Sequence, residues 1–322
     1  MAVASPRPEL APVVRTSPCP AMGTVLIVES LTVDIDGPVH YASYGGQGDP
    51  VVLIHGLGGS HLNWMAVGDR LAIRHRVYAP DLRGFGLTPM RLGQRATLDA
   101  NQALVEGFLE RVVQSPATLV GNSMGGRLAL QVAAHRPELV RRLVLVDPAA
   151  PNPTLGGVDG LVIVFFAALL APMAEPYLGR RSRRMGAEKI VRATLAVCCE
   201  DPSRVPPHIF QAHMELTERR MREMPWSDRA LVQAARSLLK LTFRRQAYNR
   251  ILPRVQAPTL IVHGARDRLV PVAAAQELVR LRPDWNLEVL DGVGHVPMLE
   301  TPDRFLLAIN RYLEVSAEQK AG

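Results

Sequence analysis

Five residues constrain this chain more than any other stretch: Gly121-Asn122-Ser123-Met124-Gly125, of the form G-x-S-x-G. They lie between a β-branched run at Thr118 to Asn122 and a helical pattern from Met124 to His135. On a sharp strand-to-helix turn the serine takes strained backbone angles, and only small neighbours let the chain pack there. The hydroxyl is then exposed beside the positive end of a helix. A G-x-S-x-G by itself recurs by chance; the strand and helix around this one make Ser123 a candidate nucleophile. The plain alternative is a tight glycine turn with an inert serine.

The rest of the chain supplies the sheet that such a turn needs. Short β-branched runs alternate with longer amphipathic segments, the pattern of an α/β fold with a mostly parallel sheet flanked by helices. Thr24 to Ile35 and His40 to Tyr44 read as an antiparallel hairpin turned at Asp36-Gly37-Pro38. Strands are expected at Val51 to His55, Arg76 to Pro80, Thr118 to Asn122 and Leu143 to Asp147, with helices at His61 to Ile73 and Thr97 to Gln114. The alternation resumes with a strand at Thr259 to His263, a helix near Val272 to Leu281, a strand at Asn286 to Leu290 and a helix near Asp303 to Val315.

Between those two series the chain reads helical and shows no strand pattern. An interruption of about a hundred residues cannot be a structureless loop in a compact domain. Residues 149–256 are therefore expected to form a helical lid inserted between two strands, over a core built from 23–148 and 257–317. Residues 1–22, rich in proline and without a continuous apolar run, read as a flexible arm rather than a signal peptide. The total of 322 residues, 48% apolar and 21% charged, suits one large domain with an insertion.

A nucleophilic serine needs a base, and the base needs an orienting acid. His295 lies in the glycine-containing loop Asp291-Gly292-Val293-Gly294-His295 after the last expected strand, where a loop can reach across to Ser123. The other eight of the nine histidines have no such position. Asp267 follows the strand ending at His263 and precedes a helix; its plain alternative is a helix cap. Asp147, at the end of the strand before the insertion, is the competing acid. The order Ser, Asp, His suits this fold class. Developing negative charge on the substrate oxygen needs donors. The run His55-Gly56-Leu57-Gly58-Gly59 can bend an amide toward the serine, so the amides of Leu57 and Met124 are the expected pair. His55 itself reads as structural, bonding within its own loop.

With these residues in place, the chain resembles the α/β-hydrolase family, in particular its lid-bearing esterase and lipase-like members. The resemblance rests on His55 to Gly59, Asp81-Leu82-Arg83-Gly84-Phe85-Gly86, Gly121 to Gly125, His263 to Pro271 and Gly294-His295, in that order. It implies hydrolysis of carboxylic esters through an acyl-enzyme, with no metal or organic cofactor, and a structural turn at Asp81 to Gly86. The branches that use an aspartate nucleophile are excluded by Ser123. The elbow Gly-Asn-Ser-Met-Gly-Gly also resembles that of carbon–carbon bond hydrolases acting on ring-fission diketones. Those enzymes usually carry a tryptophan after the histidine, where this chain has Val296, and a glycine-proline oxyanion loop that is absent here. A ligand receptor on the same fold is the reading from outside enzymology.

Gly160 to Ala171 is the most apolar stretch, too short to span a bilayer. Arg180, Arg181, Arg183 and Arg184 follow almost at once. The expectation is a lid helix packed over an acyl pocket, with a solvated arginine run. Its alternative use is peripheral docking at an anionic membrane surface. Either places an apolar wall near Ser123, hence a small-molecule ester or lipid substrate. The net charge of +7 reads as a solvated surface, and nucleic acid is not expected, because aromatics are only 5% and no recognition motif accompanies the arginines. Cys19, Cys198 and Cys199 form no disulfide framework and fit a cytoplasmic location. The sequence leaves the oligomeric state open.

Overall fold

The computed structural model describes residues 16–17, 26–151, 157–242 and 245–318. The arm expected at 1–22, with Cys19, lies outside the described residues except for Thr16–Ser17, which pair antiparallel with Leu26–Ile27.

Eight strands make the main sheet: β1 (Glu29–Asp34), β2 (Pro38–Gly45), β3 (Pro50–Ile54), β4 (Arg76–Pro80), β5 (Ala117–Asn122), β6 (Val140–Val146), β7 (Thr259–Gly264) and β8 (Asn286–Leu290). Their spatial order is β8-β7-β6-β5-β3-β4-β2-β1, with only β1 and β2 antiparallel to their neighbours. The hairpin turns where Asp36 and Gly37 take positive φ angles of 50° and 108°. Every residue of β3, β5 and β7 is buried, because a strand covered on both faces must be apolar throughout. The edge strand β1 is polar and mostly exposed.

Register decides where the site lies. Ile54 pairs with Gly121, Asn122 with Val146, Val146 with Val262 and Gly264 with Leu290. Five parallel strands therefore end along one edge of the sheet, and the residues that follow them emerge side by side: His55 to Leu57, Ser123, Asp147, Asp267 and His295. In open α/β sheets this carboxyl edge is where ligands bind.

Helices cover both faces. Helix α1 (Leu98–Phe108) and α2 (Met124–His135) pack on one side with Leu104, Phe108, Leu128 and Val132 in the core. The segment His61 to Ile73 is not the single helix its pattern suggests. A 3-10 turn at His61–Trp64, capped by Ser60, is followed by one α turn at Gly68–Leu71. The Tyr44 ring lies against Gly68, where a Cβ would approach it to 2.4 Å.

Between β6 and β7 the chain is helical: α3 (Gly160–Leu170), α4 (Ala174–Met185), α5 (Ala187–Cys198), α6 (Pro207–Glu223), α7 (Ser227–Thr242) and α8 (Arg245–Ile251). This insertion has a small cluster of its own, Leu169, Ala174, Leu178, Val232 and Ala235. Most of its burial is shared with the sheet: Ala230, Ala234 and Leu238 of α7 join the core of α1 and α2, while Val191 and Leu195 of α5 pack with Val296 and Met298. The expectation that α3 packs over a pocket holds for little of it. Only Val162 and Leu169 are buried, and Leu161, Val164 and Leu170 are exposed at 72%, 66% and 52%. After β7 come α9 (Val272–Leu281) and α10 (Pro302–Glu318). Among the described residues no helix is long and apolar enough to cross a membrane.

Candidate active site

Ser123 stands at the junction of β5 and α2 with φ 54° and ψ −114°, a conformation costly for a residue with a side chain. Two glycines make the turn possible. A Cβ on Gly121 would meet the Gly125 carbonyl oxygen at 2.3 Å, and one on Gly125 would meet the Ile54 oxygen at 2.2 Å. The Ser123 amide donates to Val146 O at 2.9 Å, tying the turn to the neighbouring strand. The residues on either side are buried while Ser123 is half-exposed.

His295 and Asp267 come together from loops after β8 and β7. His295 Nδ1–H donates to Asp267 Oδ2 at 2.6 Å, and both residues are buried. The other oxygen, Oδ1, accepts the amides of Leu269 at 2.8 Å and Val270 at 3.0 Å, which fixes the carboxylate plane. Burial alone would raise the Asp267 pKa, but the His295 imidazole and its hydrogen bond hold it below the usual carboxylate range. With Nδ1–H committed to Asp267, Nε2 is the ring nitrogen of His295 left to accept a hydrogen bond. No hydrogen bond joins Ser123 Oγ to His295; such contacts often close only when substrate is bound.

The amides of Leu57 and Met124 donate no hydrogen bond among the described residues, and Met124 opens α2, where the helix dipole is positive. Leu57, like Phe166 of α3 and Leu231 of α7, packs against the insertion's own cluster of Leu169, Ala174, Leu178, Val232 and Ala235, so the insertion forms an apolar wall beside that amide. His55 is turned away from the chemistry: Nδ1–H donates to Gly56 O at 2.8 Å, and Nε2 accepts the Leu82 amide at 3.0 Å. Burial lowers its pKa, which keeps the ring neutral as both bonds require.

Three partners of this site carry no local sequence signal. Asn122 Nδ2 donates to the His295 carbonyl at 3.0 Å, joining the serine strand to the histidine loop. The His295 amide donates to Cys198 O at 2.6 Å, so the end of α5 holds the same loop from the other side. Glu300, fully buried, accepts the amides of Gly294 at 2.8 Å, Asp201 at 2.9 Å and Glu200 at 3.2 Å.

The Asp81 to Gly86 turn is structural. Asp81 accepts from His61 N at 2.7 Å, Leu87 N at 2.8 Å, His40 Nδ1 at 2.7 Å and His61 Nδ1 at 2.9 Å. Burial opposes its ionisation, yet the His61 and His40 rings hold its pKa well below the usual range. Histidine and aspartate atoms close enough to share a cation also occur here and at Asp147, Asp267 and His295. On Asp81 the lone pairs a cation would need already accept hydrogen bonds.

The profile of the alpha/beta hydrolase fold family matches residues 49–302. A relative from Metapseudomonas resinovorans, 2-hydroxy-6-oxo-6-(2'-aminophenyl)hexa-2,4-dienoic acid hydrolase, is 30% identical over 85% of this chain and 87% of its own. The 2-hydroxy-6-oxo-2,4-heptadienoate hydrolase of Pseudomonas putida is 28% identical over 83% of this chain and 90% of its own. Among solved structures, a membrane phospholipase A described as a bacterial virulence factor superposes with a TM-score of 0.69 at 25% identity, covering 89% of this chain and 86% of that one. The family match begins beside the first parallel strand and reaches the start of the last helix, leaving out the edge hairpin, that helix and the termini: the chain belongs to the α/β-hydrolase fold family.

Proposed function

We propose that this hydrolase cleaves carboxylic esters with an apolar acyl group. Ser123 Oγ attacks the carbonyl carbon as His295 Nε2 takes its proton. Asp267 holds the imidazole in the required tautomer and stabilises its positive form. The amides of Leu57 and Met124 receive the oxyanion, the alcohol leaves with the proton from His295, and water then releases the acyl group by the same steps. The observation that carries this reading is the strained turn at Ser123, held at the sheet edge where the Leu57 and Met124 amides are uncommitted and the His295–Asp267 pair lies. Leu57, Phe166 and Leu231 supply the apolar surface for the acyl chain.

A second reading has its own support. Two relatives are named as hydrolases of 2-hydroxy-6-oxo dienoic acids, and the Gly121 to Gly126 elbow is compatible with carbon–carbon cleavage. A panel of p-nitrophenyl esters of increasing chain length, with a ring-fission diketone included, separates the two. Ester turnover rising with acyl length and abolished in Ser123→Ala is the expected result. Turnover of the diketone alone replaces the ester reading. Retained activity in Ser123→Ala removes Ser123 as nucleophile. Failure of a fluorophosphonate to label Ser123, with tight ligand binding and no turnover, favours a receptor.

The substrate is reached at an anionic lipid surface, onto which α3 and α4 dock. Helix α3 exposes apolar side chains over more than half its circumference, from Leu170 through Val164 to Phe165, and Met173 and Tyr177 extend the patch. A protein partner would need a deep groove to cover such a helix, whereas a lipid monolayer encloses it from every side but the one it rests on. Arg180, Arg181, Arg183 and Arg184 on α4 are exposed beside it and match anionic headgroups. An apolar hollow of about 270 Å³ between the two helices, lined by Ala168, Ala171, Met173, Ala174 and Tyr177, adds to this surface. The free thiols of Cys198 and Cys199 fit the reducing, cytoplasmic side of a membrane.

A further inference from the structure

A second carboxyl group lies beside the Asp267–His295 pair, and the mechanism above does not use it. Asp147 follows directly on β6, fully buried, with a φ of 45° that a residue other than glycine rarely adopts. Its amide continues the sheet to Val262 O at 2.9 Å. Oδ1 accepts the Gly264 amide at 2.8 Å, while Oδ2 is enclosed without a donor from any ordinary N–H or O–H group. Ligand atoms of Asp147, Asp267 and His295 all lie within 4.8 Å of one another.

Two carboxylates so close in a buried place cannot both keep a negative charge, so one of them holds a proton. The surrounding groups supply no fixed positive charge to change that. His263, with Nε2 at 3.7 Å from Asp147 Oδ1, commits that N–H to Val270 O at 2.8 Å, and burial keeps the ring neutral. Burial pushes the Cys198 thiol up to about 12, so it too is uncharged, and Glu300 adds only further negative potential. Hydrogen bonds then decide which oxygen is protonated. Asp267 receives three N–H donors, from Leu269, Val270 and His295, whereas Asp147 receives one, from Gly264. The charge belongs on Asp267 and the proton on Asp147. Burial first, and the Asp267 charge second, raise Asp147 well above the usual carboxylate range.

We propose that Asp147 is a positioning residue: a neutral carboxylic acid whose hydrogen is donated to the Asp267 carboxylate, setting how strongly Asp267 holds the His295 imidazole. By drawing charge from Asp267 this donor weakens the carboxylate's hold on an imidazolium, so activity persists further into the acid range with the donor than without it. The proposal rests on reading Asp267 and His295 as acid and base.

The tests use Asp147→Asn and Asp147→Ala in the full chain. Asparagine keeps the shape, tolerates positive φ and offers an N–H donor with no charge at any pH. The readout is the acid limb of the pH profile, for ester kcat/KM and for fluorophosphonate labelling of Ser123, with thermal midpoints measured alongside. Asp147→Asn should leave the limb in place, and Asp147→Ala should move it up by about one pH unit, since Asp267 without its donor stabilises the imidazolium more. A limb displaced downward in Asp147→Asn would mean that Asp147 is ionised, and a wild-type limb in Asp147→Ala would mean that it positions nothing; either overturns the proposal. Infrared difference spectra at neutral pH need no turnover. They should show a protonated-carboxyl band in wild type that disappears in Asp147→Asn, and no such band is the third overturning result. Loss of Ser123 labelling in wild type would count against the triad reading and leave the infrared result to decide for Asp147.

Discussion

Glu300 ties the candidate site to the insertion through a single side chain. One buried carboxylate collects three amides, one from the His295 loop and two from the turn after α5, while Arg204 Nη1 approaches at 3.3 Å. Glu300→Gln keeps the volume but turns an amine toward donors. One or more of those amides then loses its acceptor, at a cost of about 1–3 kcal/mol. The expected outcome is a lower denaturation midpoint in urea together with a kcat reduced roughly tenfold, because His295 is displaced by a fraction of an ångström. A variant with wild-type kcat would show that the loop holds its place without Glu300. At this scale the sequence was legible for residues that announce themselves locally. Ser123 sits between glycines, Asp267 and His295 sit in loops just after strands, and His55 begins its own glycine run. Asn122 and Glu300 were not legible, because the His295 partner of Asn122 lies 173 positions away and two of the three amides on Glu300 lie about a hundred away, leaving no trace in the neighbouring residues.

Elements follow the same logic with a different failure. Central strands announced themselves as continuous apolar runs, and the register of β5, β6 and β7 then brought their ends to one edge. An all-apolar helix carries no such directional signal. With no polar face, α3 reads as a buried helix, and the pattern cannot say that it is exposed over most of its surface. The docking reading is tested at this scale. In co-sedimentation with vesicles of anionic phospholipid, wild type should bind at low salt and be released as salt is raised. Val164→Glu with Leu170→Glu should abolish binding, and replacing the four arginines Arg180, Arg181, Arg183 and Arg184 by glutamine should weaken it at least tenfold. Hydrolysis of a water-soluble short-chain ester should survive both changes, since neither set touches Ser123, Asp267 or His295. Equal vesicle binding after neutralising the arginines would sink the electrostatic part, and binding unchanged by the two glutamates would sink the docking face altogether.

The insertion and the sheet stand or fall together, since α5, α6 and α7 share their burial with the core, and one histidine makes that dependence sensitive to pH. His213 on α6 packs against the 3-10 turn at His61–Trp64. Its Nε2 is enclosed without a partner, although the residue as a whole is half-buried. Burial, followed by the nearby His61, lowers its pKa to about 4. The sign follows from proton counts. As pH falls below about 6.5 the unfolded chain binds a proton here and the folded chain does not, so folding free energy is lost. The loss continues, at up to about 1.4 kcal/mol for each pH unit, until the folded residue is itself protonated near pH 4. Asp81 adds almost nothing to this window, because its carboxyl is ionised in the folded and in the unfolded chain until pH nears 4. Asp147 acts in the opposite sense, protonated in the fold and ionised in the unfolded chain over much of the same range. Both contributions are common to wild type and to His213→Phe, which fills the same space without a titrating ring. The difference between the two proteins therefore isolates His213. Urea unfolding at pH 7 and at pH 4.5 should show wild type losing roughly 2 kcal/mol more than His213→Phe. Equal losses would place the His213 ring in water in the folded protein, and α6 would then not seal the turn at His61.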